Sequence, residues 1–289
     1  EDSLKFDLGF VKMIRRSRLF SRRESLPALL HYFVPLHAVF LQRGAEMFSL
    51  EITKDYQELS ERAAELVVKQ LKKKANSVLG LATGSTPLGC YEQLVKLYKA
   101  GELDFSGVHS VNLDEYRGLA AEDKNSYRHF MDENLFSKIN IAKEHTHVPD
   151  GMEENREKAC KDYDAKILSV GEIDLQILGL GPDRHIGFNE PADFFSKGTN
   201  CVRLTDETIE SNQRFFRSKE EVPREAYTMG IGSIFSAKKI LLLVSGKAKA
   251  GILEKALRGP VTPRVPASIL QFHRDLTVLA DEEAASALS

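Results

Sequence analysis

Between residues 47 and 289 the chain alternates two hydrophobic rhythms. Short apolar runs at Val78 to Ala82, Val108 to Leu113, Asp174 to Leu180, Lys239 to Val244 and Leu276 to Ala280 have the length of strands buried on both faces. In the intervals apolar residues return every three or four positions. Tyr56, Leu59, Ala63, Leu66, Val67 and Leu71 fall on one helical face, and Leu88, Tyr91, Leu94, Val95 and Tyr98 on another. Buried strands separated by amphipathic helices predict one α/β domain, a single doubly wound, mostly parallel sheet flanked by helices in the Rossmann-like class. No internal repeat or low-complexity linker interrupts it.

Residues 1–46 have neither rhythm. Arg15, Arg16, Arg18, Arg22 and Arg23 precede the stretch Leu26 to Gln42, where Pro27, His31, Pro35 and His37 break an apolar run. That run is too short and too interrupted to span a bilayer, and it lacks the small-residue cleavage site of a secretory signal. With eight basic against five acidic residues the leader carries +3, leaving −5 for the remainder. The expectation is that Met47 is the natural start and that residues 1–46 are a non-native or disordered leader.

Composition narrows the function classes. A net charge of −2 gives no footprint for nucleic acid or an anionic membrane surface, though a local basic pocket for a small anion needs no basic protein. Cys90, Cys160 and Cys201 are odd in number and widely spaced, which suggests neither a disulfide framework nor a CxxC metal site and fits a reducing cytoplasm. His145 and His147 lack further ligands at metal spacing and read as loop residues. No metal and no cofactor are expected. Monomer and homo-oligomer are both left open.

The candidate chemistry sits at three strand ends. The stretch Gly179-Leu-Gly-Pro-Asp183-Arg-His185-Ile-Gly-Phe-Asn-Glu190-Pro places an imidazole between carboxylates directly after a buried run. Histidine exchanges protons near neutral pH, and flanking carboxylates can orient it and hold its charge. Leu81-Ala-Thr83-Gly84-Ser85-Thr86-Pro87 joins a strand to a helix, where a glycine, hydroxyls and free N–H groups can cradle a phosphate. It has neither the Gly-Lys-Ser/Thr of a Walker loop nor GxGxxG spacing. Asn112-Leu-Asp114-Glu115-Tyr116 ends the second strand with carboxylates, which alone are as compatible with a cap or an ion pair as with catalysis.

Taken in order, TGSTP, NLDEY and GLGxDxHIGFNEP resemble the glucosamine-6-phosphate deaminase (isomerase) family from about Met47 to the end. The resemblance implies an enzyme of amino-sugar catabolism that isomerises glucosamine 6-phosphate and deaminates it to fructose 6-phosphate and ammonia. It implies that Asp114 is the base moving a proton between C2 and C1, that His185 opens the pyranose ring, and that Asp183 and Glu190 support His185. Gly84, Ser85 and Thr86 would form the phosphate loop, with Arg214 and Lys249 as its cations. Arg217 and Lys247 lie close enough in sequence to exchange with them.

Arg184 stands where many relatives have glycine, and its side chain is expected to point to solvent rather than pair with Asp183. Long family members are activated by N-acetylglucosamine 6-phosphate. The corresponding positions here are Asp193, Asn200 and Val202, a set unsuited to a phosphate dianion, and a short form without the C-terminal extension is expected, so no activation is expected. The alternatives are a 6-phosphogluconolactonase-type hydrolase, against which Phe188-Asn-Glu190-Pro and NLDEY argue, and a non-catalytic sugar-phosphate sensor.

Overall fold

The computed structural model describes residues 48–288, so the expectation for residues 1–46 lies outside the described residues. Among the described residues there are ten strands and eight α-helices, beginning with β1 (Ser49–Thr53), α1 (Tyr56–Lys73), β2 (Val78–Leu81), α2 (Leu88–Lys99), β3 (His109–Asn112), β4 (Asp114–Tyr116) and α3 (Tyr127–Asn134). There follow β5 (Thr146–His147), α4 (Arg156–Val170), β6 (Leu175–Leu178), β7 (Asn200–Arg203), α5 (Asp206–Asn212), β8 (Glu225–Thr228) and α6 (Ile231–Phe235). The last four are β9 (Ile240–Val244), α7 (Ala250–Arg258), β10 (Leu276–Asp281) and α8 (Glu282–Ala285). Among the described residues no helix is long and apolar enough to cross a membrane.

Local chemistry explains the helices. In α1 the stripe Leu59, Ala63, Val67 and Leu71 is buried, the Asp55 carboxylate accepts from Glu58 N–H at 3.0 Å, and Lys72 and Lys73 occupy the last turn. Strands β9 and β6 are buried at every position, as a sheet covered on both faces requires.

Seven strands form one parallel sheet in the order β1-β10-β9-β6-β2-β3-β5. The chain moves outward in one direction from β2 through β3 to β5 and in the other from β6 through β9 to β10, so the strand order reverses between β2 and β6. The crevice beyond the carboxyl ends of those two strands is where such a fold binds ligands.

Three features depart from the sequence reading. The expected strand Val108 to Leu113 leaves the parallel sheet at Leu113, whose N–H still donates to Leu81 O while its carbonyl accepts from Met229 N–H. The chain then enters a second, antiparallel sheet, β4-β8-β7, in which Asp114 pairs with Thr228. This small sheet rests on its own core of Tyr116, Phe188, Leu204, Ile209, Val222 and Ala226. Strand β1, at one edge of the parallel sheet, is not among the apolar runs expected to be strands. His147 lies in β5 rather than a loop, and His109 stacks on His145 at 3.9 Å with His147 at 6.3 Å.

That histidine stack makes a stability prediction. Burial, then the charges of Lys166 and the neighbouring histidines, pushes His147 down to about 4, and burial and His145 lower His109. An unfolded histidine titrates at about 6.5, so on acidification the unfolded state takes up protons that the folded state refuses. Stability therefore falls as pH drops through about 6.5 and levels off below the folded value. His147, being partly solvated, is expected to contribute about 1 kcal/mol of this loss between pH 7 and pH 5. Urea unfolding of His147→Gln at both pH values checks it, since a loss as large as that of the parent protein would exclude the histidine.

Candidate active site

One cleft of about 580 Å³ opens at the switch point, and Asp114, His185, Gly84, Ser85, Thr86, Arg214 and Lys249 all line it. Seven of the nine residues singled out from sequence thus meet there, although Gly84 and Lys249 are 165 positions apart in the chain. Asp183 and Glu190 are not on the cleft wall. They stand behind His185, and ligand atoms of Asp183, His185 and Glu190 lie within 4.8 Å of one another. A divalent ion could use such a donor set, but two of its members already have partners of their own.

His185 Nδ1 lies 2.5 Å from Asp183 Oδ1, which also accepts from the His185 backbone N–H at 3.1 Å. Burial pushes the Asp183 carboxyl up, yet the hydrogen bonds and charge of His185 outweigh it and hold the group below the usual carboxylate range. Its other oxygen, Oδ2, is buried and has no hydrogen-bond partner among the described residues. Both Glu190 oxygens accept from Thr205 N–H, at 3.0 and 3.2 Å, and Oε1 also accepts from Thr205 Oγ1 at 3.0 Å. Glu190 thereby ties the turn after His185 to the start of α5.

The turn itself is tight. Gly181 N–H donates to His185 O and Arg184 N–H donates to Gly181 O, which folds the imidazole over Gly181. Arg184 has φ of 72° and is the sole described non-glycine residue with positive φ, a conformation that disfavours a side chain by roughly 1–2 kcal/mol. No ion pair joins Arg184 to Asp183 among the described residues. The Arg184 side chain is half-buried, and its Nε is shielded from solvent without a hydrogen-bond partner among the described residues. Gly187, with φ of 60°, brings the turn against Asp114: a Cβ there would lie 3.5 Å from Asp114 Oδ2 and 2.9 Å from Thr228 Oγ1.

Asp114 is 5% exposed, and burial, then the adjacent Glu115 charge, raises it well above the ordinary carboxylate range. Glu115 points elsewhere. It accepts from the N–H groups of Tyr116, Tyr127 and Arg128 at 2.8–2.9 Å, and burial outweighs those bonds to push it up to about 7. It anchors the start of α3, whose Tyr127 and Phe130 form another wall of the cleft.

On the opposite wall, Gly84 adopts φ of 91° and the loop runs into the amino end of α2, whose N-cap residue Pro87 has no capping side chain. Tyr56, whose spacing marks it only as a member of the α1 apolar face, has a second role. Its hydroxyl donates to Ser85 O and accepts from Gly89 N–H, both at 2.9 Å, and so fixes the loop. Lys249 Nζ donates to Leu180 O at 2.6 Å, while burial and then Arg214 lower its basicity against the opposing pull of Asp183. Of the sequence alternatives, Lys247 turns away to Ser286 Oγ at 2.9 Å, and Arg217 is not on the cleft wall.

Other wall residues carried no sequence signal. Asn212 donates to the Tyr116 hydroxyl at 2.8 Å, linking α5 to β4. Among the residues weighed for activation, Asp193 pairs with Arg264 and Asn200 donates to Gly198 O.

Comparison with known proteins gives the same grouping. A family model described as glucosamine-6-phosphate isomerases/6-phosphogluconolactonase matches residues 54–279. A glucosamine-6-phosphate deaminase of Thermoanaerobacter sp. (strain X514) is 54% identical over 235 residues, covering 81% of this chain and 93% of that protein. A solved monomeric glucosamine-6-phosphate deaminase superposes with a TM-score of 0.81 at 43% identity, covering 83% of this chain and all of the other. The 6-phosphogluconolactonase of Thermotoga maritima, with a TM-score of 0.65 and 21% identity over 81% of this chain and 99% of its own, shares the fold. With residues 54–279 matched by the family model and about half of the aligned residues identical to those of a relative covered almost end to end, the chain belongs to the glucosamine-6-phosphate isomerase/6-phosphogluconolactonase family.

Proposed function

We propose that this protein converts glucosamine 6-phosphate and water to fructose 6-phosphate and ammonia. One observation carries the reading: a buried carboxylate, Asp114, and a carboxylate-held imidazole, His185, face the same cleft as a glycine-hydroxyl loop and two cations. The identity to proteins named glucosamine-6-phosphate deaminase supports the same choice of substrate.

Arg214, Lys249 and the Gly84-Ser85-Thr86 loop hold the phosphate dianion, remote from the reacting carbons, and keep C1 and C2 in register. His185 takes the proton of the O1 hydroxyl and returns one to the ring oxygen, so the C1–O5 bond breaks and an open-chain aldehyde forms. Asp183, low-lying and paired with Nδ1, steadies the imidazole while it is charged. The C2 proton is now acidic. Asp114 removes it while a proton of the C2 ammonium passes to O1, giving an enolamine, and then delivers the C2 proton to C1, which leaves a C2 iminium. Water adds to that carbon, the C2–N bond breaks, and ammonia departs with the ketose. Asp114 starts from an elevated position, so in its ionised form it is a stronger base than an exposed carboxylate.

Ammonia and fructose 6-phosphate should appear in equal amounts from purified protein and glucosamine 6-phosphate. Hydrolysis of 6-phosphogluconolactone without ammonia release would overturn the assignment. Arg214→Ala and Lys249→Ala should each raise KM for the sugar phosphate about 10- to 100-fold, the cost of one charge-assisted contact, with little change in the affinity for unphosphorylated glucosamine. Equal losses for both sugars would mean that neither cation reads the phosphate.

A further inference from the structure

Asp281 lies outside the cleft and outside every motif of the sequence reading, yet its carboxylate is fully engaged. Strands β9 and β10 run parallel with Val244 opposite Ala280, so Ser245 and Asp281 leave the sheet side by side at its carboxyl edge. Asp281 is 4% exposed and accepts from Ser245 Oγ at 2.5 Å, from Gly246 N–H at 2.9 and 3.1 Å, and from Ala284 N–H at 2.8 Å.

Those donors belong to the segment that delivers Lys249. Gly246 has φ of 92°, a conformation open to glycine, and its carbonyl accepts from Lys249 N–H at 2.9 Å to close the turn. Lys249 then reaches Leu180 O beneath the histidine turn. Ser245 lines the cleft, but its hydroxyl proton is committed to Asp281, so it has none to donate to an anion.

We propose that Asp281 is a positioning residue for the phosphate anchor: through Ser245 and Gly246 it fixes the turn that sets Lys249 in the cleft. The inference rests on Lys249 binding the substrate phosphate. A glycine in this conformation has wide freedom when nothing holds it. Without the carboxylate the ammonium would spread over several positions and meet phosphate in only a fraction of them. The groups acting on C1 and C2 come from β4 and the turn after β6, so the chemical step is spared.

Asp281→Asn keeps the shape but turns an NH₂ group toward donors. It should raise KM for glucosamine 6-phosphate about tenfold, the worth of one hydrogen bond to a charged group, with kcat falling less than threefold. The inhibition constant of inorganic phosphate should rise in the same proportion. A loss confined to kcat, or KM and phosphate inhibition within twofold of the parent, overturns the proposal. If Asp281→Asn shows no cooperative thermal transition, Ser245→Ala decides: about a threefold weaker phosphate inhibition supports the role, and unchanged inhibition overturns it. Lys249→Met separates the two levels. If that variant binds phosphate normally, the anchor assignment itself falls and this inference with it. If it binds weakly while Asp281→Asn and Ser245→Ala bind normally, the positioning role alone fails.

Discussion

Asp114→Asn is expected to lower ammonia release by about 10³-fold or more, with inorganic phosphate still bound to within a few-fold of the parent affinity. The amide has nearly the shape of the carboxylate but cannot accept the C2 proton. Two features make the loss large. Asp114 is buried beside Glu115, so no water-borne base reaches the same point easily, and Gly187 closes over it from the histidine turn. Solvent deuterium should no longer enter the sugar at C1 or C2, which separates loss of proton transfer from loss of ring opening. Turnover within tenfold of the parent would remove Asp114 from the base role. The neighbouring Glu115, pushed up to about 7 and committed to three backbone N–H groups, is not placed to substitute.

Gly181→Ala should be nearly as damaging, although residue 181 carries no chemistry. A Cβ built there would lie 2.3 Å from His185 Cδ2 and Nε2. No side-chain atom survives at that distance, so the imidazole must swing away and the 2.5 Å approach to Asp183 is lost. Ring opening then loses its positioned acid and base, a fall of about 10²-fold or more in kcat. An open-chain analogue of the substrate should recover part of the activity, because the Asp114 step needs no imidazole. The thermal midpoint should move little compared with the rate, since the displaced ring faces the cleft rather than the core. Normal activity in this variant would mean that His185 reaches its working position by another route.

Much of this molecule is legible in its sequence because the signals are local. Unbroken apolar runs and three-to-four-residue spacing identify the buried strands and the faces of α1 and α2, since burial on two sides or one leaves a periodic mark on adjacent residues. The three strand-end motifs likewise hold their chemistry within a dozen residues each, which is enough to nominate Asp114, His185 and the Gly84-Ser85-Thr86 loop. Partners distant along the chain leave no such mark. The exit of the chain from the parallel sheet at Leu113 is decided by Met229, which lies on the far side of 115 intervening residues and takes the Leu113 carbonyl. The short strands β5, β7 and β8 are set by whichever strand lies beside them, as a run of two to four mixed residues cannot pair with itself. Tyr56 looks like one more apolar residue until its hydroxyl meets Ser85 and Gly89, and Asp281 looks like the end of a strand until Ser245 and Gly246 arrive beside it. The sequence by itself determined which groups could do the chemistry. Only the tertiary structure decided which cation faces the cleft, Lys249 rather than Lys247, and what holds it there, because direction is fixed by hydrogen bonds across the sheet edge rather than by residue type.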